Sequence, residues 1–334
     1  MRITLQDRTL LSAGLLLFAA CAEPRSTAPT EPFFAAKTGG GHASHPRGII
    51  SATTPLAGEP YGVAVSGAGD VLVAQVLNGT VSRFTLPGTT AVATIDFGGS
   101  GPVHVAINPS GTTAYVVEQF SGAVGVLDLA SNTITTTIAL TNSGFNIIVA
   151  PNGGRVYAST ADGRLYVIDA SSNTIVDSMT IGSAANGFAF SPDGATLYAS
   201  SRDAGTITAF AAATDAALAT YFVGGRPQRL AVSPDGATVY AANEDAGLSI
   251  VAVATGTVTS VNPVGSGYGL GETPDGVQLY LTEPLSGRIA ILDRKSLRTK
   301  KVLTPGGQPR NVAFSANGKT GVVTDGAGNV IFIK

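Results

Sequence analysis

His104, Glu118 and Arg229 are the residues of this chain whose types could do chemistry together. His104 and Glu118 fall in the same repeat unit, and His104 is the one histidine after residue 45. A carboxylate that orients an imidazole makes it a general base, and a guanidinium, here Arg229 or Arg310, stabilises an oxyanion or binds a carboxylate. That combination suits hydrolysis of a lactone. The plainer expectation, and the preferred one, is that His104 only hydrogen-bonds backbone. Glu283 and Asp325 occupy matching places in neighbouring repeats, where oxygen ligands for calcium are conceivable, but no acidic loop of the usual spacing is present and solvated carboxylates are the better reading. One histidine and no cysteine within the repeats give no basis for a zinc, haem or other transition-metal centre. No glycine-rich stretch lies between a strand and a helix as a phosphate loop needs, and Gly265-Ser266-Gly267 is not a nucleophile elbow. Neither a cofactor nor a metal is therefore expected.

These residues must be positioned by a repeat. An apolar run followed by a turn returns at Val63, Val105, Ile147, Phe188, Leu230, Leu270 and Val312, at steps of 42, 42, 41, 42, 40 and 42 residues. In the clearest copy, Leu230–Val232 is an inner strand, Ser233-Pro234-Asp235-Gly236 a turn, and 238–242, 248–252 and 257–261 are three further strands. Glycine, asparagine and aspartate fill the turns because those positions need positive φ or side-chain bonds to backbone. A period in the low forties built of short strands is the signature of a propeller whose repeat is one four-stranded blade. The fold class is therefore all-β, a seven-bladed β-propeller of antiparallel blades spanning residues 48–334. The seventh copy has three strands only, so the strand-like 48–53 segment is expected to supply its fourth and close the ring, removing sticky sheet edges.

Residues 1–21 read as an export signal. Arg2 and Arg8 precede an apolar run from Leu10 to Ala20 that is shorter than the roughly 20 residues a bilayer span needs. The segment ends Phe18-Ala19-Ala20-Cys21, which is similar to the lipobox of bacterial lipoproteins and implies lipidation of Cys21; a conventional cleavage site is the alternative. Residues 22–47, with four prolines and Gly39-Gly40-Gly41, read as a flexible tether, and His42 and His45 as part of its composition.

The second strands carry Tyr115-Val116-Val117-Glu118, Tyr157-Ala158-Ser159-Thr160, Tyr198-Ala199-Ser200-Ser201, Tyr240-Ala241-Ala242-Asn243 and Tyr280-Leu281-Thr282-Glu283. With the Ser-Pro-Asp-Gly turns at 191–194 and 233–236, this resembles the YVTN-repeat family of seven-bladed propellers, including YncE-like exported proteins. It is similar, more loosely, to lactonase-type propellers related to 6-phosphogluconolactonase. The resemblance implies fold rather than activity, because the repeated residues are structural and no family catalytic motif maps onto this chain. Val73 and Val322 stand where the first and seventh copies would have tyrosine.

In a propeller the start of each inner strand and the end of the second strand share the face around the channel mouth. The first ring is Gly62, His104, Asn146, Gly187, Arg229, Gly269 and Asn311; the second includes Glu118, Asn243, Glu283 and Asp325. Unlike structural positions these vary in charge and size, as a ligand site on a repeat scaffold would. The candidate ligand residues are thus His104, Asn146, Arg229, Asn311, Glu118, Asn243, Glu283 and Asp325. Glu272 joins them because its counterparts in other inner strands are all apolar, so it must be paired or face a ligand.

The net charge of −2 and the lack of an aromatic platform beside the basic run Arg294, Lys295, Arg298, Lys300, Lys301 argue against nucleic acid as a partner; that run is read as protecting an outer strand edge. The sequence therefore predicts an exported monomer, lipid-anchored at the cell envelope, that binds a protein or small molecule at the channel mouth. A lactone hydrolase is the alternative.

Overall fold

The computed structural model describes residues 44–182, 185–263 and 265–334; the expected signal segment, Cys21 and His42 lie outside these. Among the described residues there is no helix. The strands form seven four-stranded sheets, each antiparallel and, in six, consecutive in sequence. The innermost strands, strand a of blades 1 to 7, are Pro60–Val65, Pro102–Ile107, Gly144–Val149, Ala185–Phe190, Pro227–Val232, Leu270–Glu272 and Pro309–Phe314. The exceptional sheet is blade 7, where Ile50–Pro55 pairs with Asn329–Ile333 as the outermost strand. The expected closure of the ring is thus observed, displaced by two residues from the 48–53 reading.

The core lies in the seams between blades. Seven apolar clusters occur among the described residues, one per seam; Leu72 and Val81 of blade 1 meet Val105, Val116 and Leu127 of blade 2, for example, and Phe84 of blade 1 meets Phe332 of blade 7. Alternation along strands b and c supplies both faces of each blade, so the two sides of one sheet feed two different seams. Fully burying one such aliphatic side chain contributes about 1.5–3 kcal/mol.

The recurrent tyrosine of strand b pins one blade to the next. Tyr115 donates to the Ala170 carbonyl at 3.4 Å and Tyr157 to Asp215 Oδ1 at 3.1 Å, each reaching the turn between strands c and d of the following blade. Burial raises the pKa of both phenols, that of Tyr157 to about 12, so both remain protonated donors. Tyr280 of blade 6 finds no such turn in blade 7, because the chain termini interrupt it there. It donates instead to the Pro46 carbonyl at 3.3 Å. Residues 44–47, read from sequence as the end of a tether, are accordingly part of the propeller. Ser44 bonds the Asn317 carbonyl at 3.2 Å and His45 Nδ1 lies 2.7 Å from Asp275 Oδ2.

Candidate functional site

In blade 6 strand a begins at Leu270 as read; in the other six of the seven blades it begins three residues earlier than the apolar run alone indicates and its register slips near the start. Such a bulge leaves an extra residue unpaired and re-aims its side chain. At this level the inner strands crowd one another, which explains the glycines of the ring. A Cβ on Gly187 would stand 2.0 Å from the Gln228 carbonyl oxygen and one on Gly269 1.9 Å from that of Arg310. Three of the seven variable positions are therefore set by close approach of backbones.

The four side chains left in the ring, His104, Asn146, Arg229 and Asn311, line one cavity of about 250 Å³ on the channel axis. Val105, Ile147, Phe188, Leu230, Leu270 and Val312 form its apolar wall. Arg229 reaches across the axis from blade 5. Its Nε donates to Asn311 Oδ1 of blade 7 at 2.6 Å and its Nη2 to His104 Nε2 of blade 2, so the imidazole proton sits on Nδ1. Nη1 is buried and has no hydrogen-bond partner among the described residues. Burial, and after it the Arg229 charge, holds the His104 pKa well below 6.5, leaving the ring neutral. Burial also lowers the pKa of Arg229, against the opposing pull of the Tyr61 and Tyr268 hydroxyls, but a guanidinium stays charged. The result is a cation 9 % exposed with no carboxylate bonded to it among the described residues.

Tyr61, Tyr268 and Arg310 form the rim and were not singled out as a group by the sequence. The two tyrosine hydroxyls hydrogen-bond one another, and the Arg310 guanidinium lies 5.6 Å and 5.4 Å from the two ring centres. Tyr61 also meets His104 edge to face at 5.7 Å. Asn311 Nδ2 and Thr324 Oγ1 both donate to the Tyr61 carbonyl, fixing this rim to the ring. The three residues occupy one column, immediately before the ring positions in blades 1, 6 and 7; in blades 1 and 7 this column falls within the bulge, and in blade 6 it precedes the short strand a. Beside them runs a polar chain. Asn186 donates to Gln228 and Gln228 to Glu244, whose carboxylate is held by Arg202 at 3.0 Å and Arg226 at 3.1 Å.

The remaining candidates do not join the cavity. Glu118 accepts from Ser121 Oγ at 2.6 Å and makes no bond to His104, so it does not orient the imidazole. The end of strand b lies one strand further out, and its side chains tie down adjoining loops. Asn243 Oδ1 accepts from the Arg226 and Asp245 amides, Glu283 from the Ser266 amide, and Asp325 from the Gln308 and Ala327 amides. Asn146 lines the cavity, but its amide is engaged with the Asn186 carbonyl and the Ile147 amide. Glu272 lies at the opposite end of its strand. Its Oε1 is 3.1 Å from Arg294 Nε, whose hydrogen goes to the Gly276 carbonyl, so the contact is a charge pairing without a hydrogen bond. Burial outweighs Arg294 and raises the Glu272 pKa to about 7. Among the described residues no three His, Cys, Asp or Glu side chains gather as a metal-holding group.

The geometry defines a seven-bladed propeller whose channel is crossed by a buried arginine beneath an aromatic rim. A family model described as lactonase, 7-bladed beta-propeller, matches residues 63–268, and the chain belongs to that family. The solved hydrazine synthase of Kuenenia stuttgartiensis is similar with a TM-score of 0.77 at 18 % identity, over 87 % of this chain and 99 % of that one, a likeness of fold. No curated protein matches.

Proposed function

We propose that this propeller is an exported, lipid-anchored binding module of YVTN type at the cell envelope, and that its ligand is a small organic anion seated at the channel mouth. The observation that carries this reading is Arg229, which lines a cavity with an apolar wall and whose buried Nη1 has no hydrogen-bond partner among the described residues. A buried charge without a partner is costly, and an anionic ligand offsets that cost. Neutral His104 and Asn311 hold the guanidinium in place, and the Tyr61–Tyr268 rim limits access.

Membership of the lactonase family favours a second reading, hydrolysis of a lactone in the same cavity. The lone pair on His104 Nε2 is already taken by Arg229 and no carboxylate orients the ring, which makes His104 a poor base. The test is calorimetric titration of the full chain with short-chain carboxylates and with sugar lactones, alongside Arg229→Met. Saturable carboxylate binding lost in the variant, with no lactone turnover, is the expected result. Turnover abolished by His104→Ala would replace binding with hydrolysis. Export is tested by cell fractionation, expected to be lost on removal of residues 2–20, and anchoring by palmitate labelling, expected to be lost in Cys21→Ser.

A further inference from the structure

A second cavity, of about 300 Å³, lies away from the channel, between the entering segment and the outer strands of blade 6; His45, Pro46, Arg47, Gln278, Ile291, Lys300 and Lys301 line it. The entering segment makes this pocket. In blades 1 to 5 the first residue of strand b is partly exposed, as Asp70, Thr113, Arg155, Thr196 and Thr238 are. In blade 6 the same place is Gln278, only 7 % exposed. The segment over it is held by His45 on Asp275 and by Tyr280 on the Pro46 carbonyl.

Two features of the pocket are left over by the fold. The Gln278 side-chain oxygen is buried and has no hydrogen-bond partner among the described residues, so it lacks a donor. Arg47 and Lys301 pair with no carboxylate among the described residues, whereas Lys300 is engaged with Asp293 at 3.1 Å and His45 with Asp275. Two unpaired cations beside an unfilled acceptor match a ligand carrying an anion and a hydroxyl on the same small frame. Edge protection accounts for lysines on an outer strand but not for a buried glutamine beneath them.

We propose that this pocket binds a phosphorylated polyol, its phosphate on Arg47 and Lys301 and a neighbouring hydroxyl donating to Gln278. The glycerol phosphate headgroup of an anionic phospholipid and a free glycerol or sugar phosphate share this chemistry. The proposal is independent of the channel site.

Calorimetry on the full chain with glycerol 3-phosphate, inorganic phosphate and glycerol tests it. Glycerol 3-phosphate should bind saturably and roughly tenfold more tightly than inorganic phosphate, the effect of one hydrogen bond to a buried group. Lys301→Glu and Arg47→Ala should each weaken it, Gln278→Leu should reduce it to the level of inorganic phosphate, and Arg229→Ala should leave it unchanged. Arg47 is exposed, so its variant reports on binding even if Gln278→Leu unfolds. Sedimentation of the Cys21→Ser chain with phosphatidylglycerol vesicles but not phosphatidylcholine vesicles, lost in Lys301→Glu, assigns the lipid headgroup as the source. Binding of the soluble phosphate alone assigns the free compound. No saturable binding of either, or binding indifferent to Lys301→Glu and Arg47→Ala, overturns the proposal.

Discussion

The Tyr280 hydroxyl donates to the Pro46 carbonyl at 3.3 Å, across 234 residues of sequence. It occupies the place that Tyr157 fills in blade 3 by bonding Asp215 in blade 4, so the N-terminal segment substitutes for the turn that blade 7 lacks. Ring closure rests on this contact as well as on the pairing of Ile50–Pro55 with Asn329–Ile333.

Tyr280→Phe should destabilise the propeller by about 1 kcal/mol, the net value of one hydrogen bond, with the ring itself still packed against Phe314. Removing residues 44–55 should lower the melting temperature far more than removing 22–43, since it exposes the edge of strand 329–333 and uncovers Tyr280. Equal melting temperatures for the two truncations would show that the ring does not depend on N-terminal closure.

The ring glycines make a separate prediction. Gly187→Ala and Gly269→Ala each place a methyl within 2.0 Å of a neighbouring carbonyl oxygen, which the inner strands can accommodate only by moving apart. Each should cost about 1–3 kcal/mol in urea unfolding. Gly67→Ala, where an added Cβ meets nothing within 4 Å, should be close to neutral and serves as the control.

Glu272 gives the stability of this fold a pH dependence. Its pKa is raised from 4.5 to about 7, so the folded state holds a proton that the unfolded state releases between those values. Folding stability from this group therefore falls as pH rises from 4.5 through 7, and the loss is complete above 7. Glu272→Gln keeps the shape without the titration, and should flatten the melting temperature over that window. An unchanged slope would place the titration on another group.

The blades were legible in the sequence because each turn carries its own chemistry, so the register of Ser-Pro-Asp-Gly and of the tyrosines counts the repeats without any long-range information. The closing strand was legible as the one strand-like segment without a partner. Arg229, His104, Asn146 and Asn311 could be placed on one ring for the same reason. The bulge in strand a was not legible, since one added residue leaves no mark on composition, and with it went Tyr61 and Arg310 of the rim; Tyr268 precedes the short, unbulged strand a of blade 6. Glu118 shows the opposite failure: its repeat position is right, but a blade fans outward from the axis, and one strand of radial distance turns its carboxylate to Ser121 instead of His104. The Arg229–His104 contact joins blades 5 and 2, and no local pattern announces a contact across the axis.

That contact also sets the behaviour of the imidazole. With burial and the Arg229 charge both opposing protonation, His104 should remain neutral well below its ordinary pKa of 6.5, with the proton on Nδ1, in an NMR titration of its ring nitrogens. Because the unfolded chain takes up a proton that the folded chain refuses, stability from this group declines as pH falls below 6.5. Arg229→Met removes the charge and keeps much of the volume. It should move the His104 pKa back toward 6.5 and lessen the loss of stability on acidification, while abolishing the response to carboxylates. A His104 that titrates normally in the parent chain would mean that the ring is neither buried nor beside the guanidinium, and the anion site built on that contact would fall with the geometry.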